Sequence, residues 1–314
     1  MSLLLSILSY WGVAVCSDPL VAYLLLVIGS IFGAVVFHGT GIGEVSDKKA
    51  VMVYLIVQVL GSSFVLASCG VNSVELGRAF LSFAFLIKVG LFPFHWWVYY
   101  VFSCLRWKAF GPGLVFMKFG LVMSFPVLMG WWFYLVVCTG SFFYMWVGVV
   151  SEGKGGNLKS IVSWMSVGDS CWSLLGKMMS LQAALVYFFS SGLTLQYLSW
   201  VLSREGLAEL SSLSLCKDPW SVLFGLWSYA GFPPLLGSVA KLYVVDELIS
   251  YTPEGVGVYL SLWGMLMSLI TMSVVGRYLA AVLLMAPKYN GLSNKILLQI
   301  GSMLILSYGL FFFV

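Results

Sequence analysis

The chain has 314 residues, of which 61% are hydrophobic and 9% charged, with a formal net charge of +4. A soluble domain of this length carries roughly a quarter charged residues, so a water-exposed exterior is excluded and a polytopic helical membrane protein is expected. Period-2 alternation with polar inward positions is absent, which excludes a transmembrane β-barrel.

In chain order, apolar runs set against turn signals give about eleven spans by the ~20-residue criterion. They are 3–16, 19–38, 49–70, 76–104, 110–130, 131–151, 157–176, 179–202, 217–250, 256–285 and 293–314. Together they form one transmembrane domain over 1–314, an all-α bundle. The first run, Leu3 to Cys16, lacks a basic leading region and a small-residue cleavage site, so it reads as a short helix and not a signal peptide. Two runs are too long for one straight helix and contain proline: 76–104 with Pro93, and 217–250 with Pro233 and Pro234. Both are read as discontinuous helices, broken near Gly90 and Pro93 and between Pro233 and Gly237. The run 110–130 carries Pro112 close to its start, where proline is tolerated.

Charge tests the topology. Lys48, Lys49, Arg106, Lys108, Lys154, Lys159, Arg204, Lys217, Lys288 and Lys295 flank loops that share one side, against Arg78 and Lys177 on the other. This bias puts the N-terminus on the positive side and the C-terminus opposite.

The six cysteines are scattered singly and the chain has two histidines, so no metal or iron–sulfur site is expected. Gly153-Lys154-Gly155-Gly156 is a basic turn with no preceding strand, not a phosphate-binding loop. The tryptophans and tyrosines read as interfacial anchors.

Four basic residues fall inside spans: Lys88, Lys118, Lys241 and Arg277. An ammonium at the bilayer centre costs about 2.5–3.5 kcal/mol on insertion scales. Arg277 lies near one end of its span and can snorkel to the interface. Lys88, Lys118 and Lys241 sit mid-span, two of them beside expected breaks, and snorkelling explains them poorly. Burial disfavours the charged form of a lysine, so each can load and release a proton near neutral pH. His95 would share a helix face with Lys88 only if the helix ran straight through Pro93. A structural role is the commoner one for such a histidine. Asp169 is an acid within or near the membrane, with relay and support roles evenly weighted.

The run from Lys88 to Val98, K-V-G-L-F-P-F-H-W-W-V, resembles the K-x-G-x-x-P-F-H-x-W-V motif of the antiporter-like subunits of respiratory complex I. Leu158 to Val167 resembles that family's L-R-K-I-L-A-Y-S-S-I segment, and Gly231 to Lys241 its G-L-P-P-L-x-G-F-x-x-K segment. The blocks occur in the family's order, and the antiporter-like core would cover about residues 19–285. The resemblance implies a proton-translocating subunit of the mitochondrial inner membrane with its N-terminus in the matrix. Lys88, Lys118 and Lys241 would be its relay. NADH, FMN, iron–sulfur clusters and ubiquinone would belong to partner subunits of the membrane complex, with lipids as neighbours and no nucleic-acid partner.

Two departures stand out. Ile28-Gly29-Ser30-Ile31-Phe32-Gly33 matches the family's V-G-L-E-M-N stretch, so Ile31 takes the place of a glutamate that pairs with the first lysine. Asp169 replaces the histidine that follows the S-S-I block. With Ile31 there, Lys88 is expected beside a polar group from outside the second helix. Two rival readings are a stand-alone cation/proton antiporter of the same ancestry and a structural spacer that has lost pumping.

Overall fold

The computed structural model describes residues 2–16, 18–40, 45–124, 131–155, 157–206, 218–233, 235–251 and 255–285. Within them lie twelve α-helices and no strand: α1 (Ser2–Val15), α2 (Pro19–Thr40), α3 (Val45–Gly70), α4 (Val74–Val89), α5 (Trp96–Cys104), α6 (Trp107–Ser124), α7 (Trp131–Gly155), α8 (Leu158–Met179), α9 (Leu181–Glu205), α10 (Pro219–Ala230), α11 (Leu236–Tyr251) and α12 (Val256–Met285). Ten of the expected spans coincide with these helices, the pairs α4–α5 and α10–α11 each filling one. The run 293–314, Pro234, and the side chain of Arg277 lie outside the described residues.

The chain breaks where the sequence places the breaks, and it breaks the same way twice. Gly90 ends α4 at φ 76° and Gly231 ends α10 at φ 91°, the left-handed conformation that glycine reaches without penalty. After each glycine the backbone repeats one pattern. Gly90 and Leu91 N–H both donate to Leu86 O, and Phe94 N–H donates to Leu91 O. Gly231 and Phe232 N–H both donate to Trp227 O, and Leu235 N–H donates to Phe232 O. The Phe92–Pro93 peptide is cis.

Backbone groups freed inside a membrane must find partners within the protein. At the first break, Phe92 N–H donates to Ser141 Oγ of α7 (3.0 Å) and Trp97 Nε1 donates to Ile87 O (2.9 Å). Trp97 and Trp172 are core residues, 3% and 1% exposed, which corrects the expectation that the tryptophans are interfacial anchors. Pro112 also differs from expectation. α6 starts at Trp107, so the proline lies inside the helix and not at its first turn.

Among the described residues, five helices are individually long and apolar enough to cross a membrane: α2, α3, α7, α9 and α12. α8 is not among them because it is rich in serine, yet it lies at the centre of the bundle, packed by α5, α6, α7, α9 and α11. Its hydroxyls turn back onto their own helix, Ser163 to Lys159 O, Ser166 to Ser163 O, Ser170 to Ser166 O and Ser173 to Ser170 O. Such bonds let a polar helix sit in an apolar core.

The charge pattern has a structural counterpart. Gly39, Arg106, Trp107, Lys108, Lys159 and Ser203 line one cavity of about 450 Å³, so the basic ends of α6 and α8 meet at the same end of the bundle as the ends of α2 and α9.

Candidate functional site

Lys88 occupies the last turn of α4, where free carbonyls favour a cation, and only 2% of it is exposed. Its Nζ donates to Gln58 O of α3 at 3.1 Å, and Gln58 Nε2 approaches Lys88 O at 3.5 Å. The side chain reaches across α3 because position 61 is glycine: a Cβ there would stand 2.5 Å from Lys88 Cγ. Among the described residues no carboxylate hydrogen-bonds Lys88 and no charged group acts on it. Ile31 is 52% exposed on the outer face of α2, so the residue matched to the family's glutamate points away from the bundle interior. The polar group that meets Lys88 comes from α3 instead.

Lys118 of α6 and Lys241 of α11 are also buried. Lys118 Nζ lies on α8, donating to Ser170 Oγ (2.7 Å), Ser166 O (3.0 Å) and Ser166 Oγ (3.4 Å). Lys241 Nζ donates at 2.8 Å to Ala230 O, the last carbonyl of α10 before the second break. Gly231 makes room for that contact, since a Cβ at this position would stand 2.8 Å from Nζ. Gly237 lets the start of α11 pack on the Ser228 carbonyl.

Asp169 of α8 lies between these two lysines and interacts electrostatically with both. Tyr187 of α9 donates to its Oδ1 at 2.7 Å. Two small cavities adjoin it. One, about 30 Å³, is bordered by Lys118, Ser166, Asp169, Ser170 and Tyr229. The other, about 10 Å³, is bordered by Asp169, Tyr229, Ala230, Lys241, Ser268 and Thr271. A single water occupies roughly 10–15 Å³ on this measure, so the first cavity has room for one and the second is at the limit.

The structure therefore brings Lys118, Asp169 and Lys241 together and sets Lys88 and His95 apart. His95 follows the break at the start of α5, packed between the rings of Phe92, Tyr144 and Trp164. Its Nδ1 has no hydrogen-bond partner among the described residues. Pro233 lies in the turn between α10 and α11. Sequence reasoning missed Gln58, Gly61, Ser166, Ser170, Tyr187 and Tyr229. The four-residue spacing of Ser166 and Ser170 was a usable signal for one helix face; the others are defined by contacts between distant helices.

No family model matches the chain. It is 30% identical over 202 residues to NADH-ubiquinone oxidoreductase chain 2 of Artemia franciscana, covering 62% of this chain and 64% of that relative. Identity to the same-named protein is 26% over 247 residues in Branchiostoma lanceolatum, covering 71% of this chain and 69% of that one. In Metachirus nudicaudatus it is 23% over 297 residues, covering 83% and 81%. The chain is similar to these three relatives, all named NADH-ubiquinone oxidoreductase chain 2. The match to the Artemia protein spans just under two thirds of that relative's length.

Solved structures agree on the fold. A chain of respiratory complex I from Thermus thermophilus superposes with TM-score 0.72 at 18% identity, covering 84% of this chain and 66% of that one. A chain of the Mrp complex from Dietzia sp. gives 0.72 at 18% identity, covering 83% and 56%. A chain of an archaeal membrane-bound sulfane sulfur reductase gives 0.73 at 14% identity, covering 99% and 73%. At these identities the likeness is one of fold, an antiporter-like membrane bundle.

Proposed function

We propose that this chain is a proton-translocating membrane-arm subunit of complex I in the mitochondrial inner membrane, with its N-terminus in the matrix. Lys88, Lys118 and Lys241 are its relay, while NADH oxidation and ubiquinone reduction take place in partner subunits. The observation that carries this reading is the surroundings of the lysines. All three are buried in interhelical positions, and each donates to neutral carbonyls or hydroxyls and not to a carboxylate. A purely structural ammonium inside the bundle would be expected to hold a counter-charge of its own, whereas Lys88 meets none among the described residues and Lys118 and Lys241 share one carboxylate. Neutral acceptors suit a group that changes charge, because the ammonium and the amine can both donate to them.

The test is made in the assembled complex reconstituted into liposomes. Lys88→Ala and Lys241→Ala should each lower proton pumping and coupled NADH:quinone turnover while the complex still assembles. Normal proton-to-electron ratios in both variants would refute the relay, and failure of the chain to co-purify with NADH:quinone activity would refute its place in the complex.

A further inference from the structure

Resting on the relay reading, we propose that Asp169 is a counter-ion shared by Lys118 and Lys241, so that the pair carries one proton between them and charging either lysine discharges the other. The family resemblance supplies no such group, since a histidine stands at this position there.

The cavity walls define the charge count. Around Asp169, α6 contributes Lys118, α8 Ser166, Ser170 and Ser173, α9 Tyr187 and Ser191, α10 Tyr229, α11 Lys241, and α12 Ser268 and Thr271. Among these described groups there is one carboxylate and there are two amines. Everything else is a neutral hydroxyl or carbonyl. Buried net charge is costly, and two states avoid it, a neutral acid with two neutral amines or an ionised carboxylate with one protonated amine; the phenol that donates to the acid favours the second. Two ammonium groups would leave an excess positive charge, and none would leave the anion alone.

The hydrogen bonds fit an ionised acid. Tyr187 already donates to Oδ1 (2.7 Å). The buried Tyr229 hydroxyl also faces Asp169 from α10, short of the geometry of a formed hydrogen bond, and it borders both cavities. A phenol aimed at a carboxylate can donate to it. Neither lysine hydrogen-bonds Asp169 here; Lys118 rests on α8 serines and Lys241 on the Ala230 carbonyl, with the anion between them. Transfer is balanced: an N–H bond breaks at Lys118, the proton bonds to the second oxygen of Asp169, and it leaves to form an N–H bond at Lys241. The carboxylate is regenerated.

Lysine can neutralise itself but arginine cannot, so fixed charges test the rule. In the intact complex, Lys118→Arg should assemble, because one permanent cation faces one anion. Adding Asp169→Asn to Lys118→Arg, or Lys241→Arg to Lys118→Arg, should each cut assembled complex on native gels roughly tenfold, since each leaves an unpaired buried cation. If Lys118→Arg does not fit, the same comparison runs from Lys241→Arg, with and without Asp169→Asn. The infrared carboxylate band assigned by Asp169→Asn should be ionised in the parental complex and in the Lys118→Met and Lys241→Met variants, and protonated only when both are combined. Equal assembly of Lys118→Arg with and without Asp169, or a protonated Asp169 in the parental complex, would overturn the proposal. Normal pumping by Lys118→Met and Lys241→Met would instead refute the relay and leave the charge count standing.

Discussion

Gly61→Ala separates the presence of Lys88 from its position. Gly61 lies within α3, where alanine favours the helix by about 1 kcal/mol over glycine. Opposing this, the new Cβ would stand 2.5 Å from Lys88 Cγ, 3.2 Å from Cε and 3.3 Å from Cδ, so the lysine must move off α3. Overpacking of this kind costs about 1–3 kcal/mol. Losing the 3.1 Å bond to Gln58 O leaves a buried donor unsatisfied, a further cost of about 1–3 kcal/mol. The expected net effect is destabilisation of about 1–5 kcal/mol, with the lysine still present but displaced. In purified complex the variant should melt at lower temperature, and in proteoliposomes it should pump fewer protons per NADH oxidised. Gly39→Ala, within α2 and with nothing within 4 Å of its Cβ, is the control and should melt at or slightly above the parental temperature with a parental pumping ratio. A parental melting temperature together with a parental pumping ratio for Gly61→Ala would refute the placement of Lys88 against α3.

Gly206 and Gly231 share the left-handed backbone, so alanine at either should cost about 1–3 kcal/mol in stability. Only Gly231→Ala also meets Lys241, so thermal melting should fall for both and pumping only for this one; equal pumping loss would show that strain alone is responsible. Ser170→Ala removes the shortest bond to Lys118 and should lower pumping without preventing assembly; an unchanged proton-to-electron ratio would count against Lys118 resting on α8. Asn157→Ala removes the side-chain bond to Lys159 N–H at the start of α8 and should cost about 1 kcal/mol, read as a lower melting temperature with pumping unchanged. A cysteine placed at exposed Lys48 should react with an impermeant reagent only from the matrix side, and labelling from the outside of mitoplasts would reverse the orientation.

The sequence carries the architecture because membrane helices are local objects: length, hydropathy, glycine and proline define them within one segment. Both breaks and the three lysines are therefore legible in the amino-acid order alone. What is not legible there depends on rotation about each helix axis and on which helix lies opposite. Ile31 can be matched by motif to an acidic position, but α2 has little amphipathic asymmetry to fix its facing, and the side chain turns outward. Rising hydropathy puts Pro112 at a helix start, while α6 begins earlier, at Trp107. Residue type alone assigns Trp97 and Trp172 to interfaces, although one closes a freed carbonyl and the other fills the core beside Phe142 and Tyr187.

The missing glutamate has a different meaning once the partner of Lys88 is known. A spacer without pumping is the natural reading of Ile31, because an ammonium without a carboxylate is unfavourable in an apolar helix. Yet the group against Lys88 is the Gln58 carbonyl, thirty residues earlier in the chain, and no sequence pattern announces a backbone atom as a partner. A carboxylate would hold the lysine charged. A carbonyl accepts a hydrogen bond from the ammonium and from the neutral amine alike, so the lysine can lose its proton without losing its partner. In the proposed relay, replacement of the acid would therefore leave this position able to exchange a proton and remove only the fixed charge that would bias the exchange. Asp169 lies by the other two lysines, so an electrostatic coupling that Lys88 lacks among the described residues is present around α8.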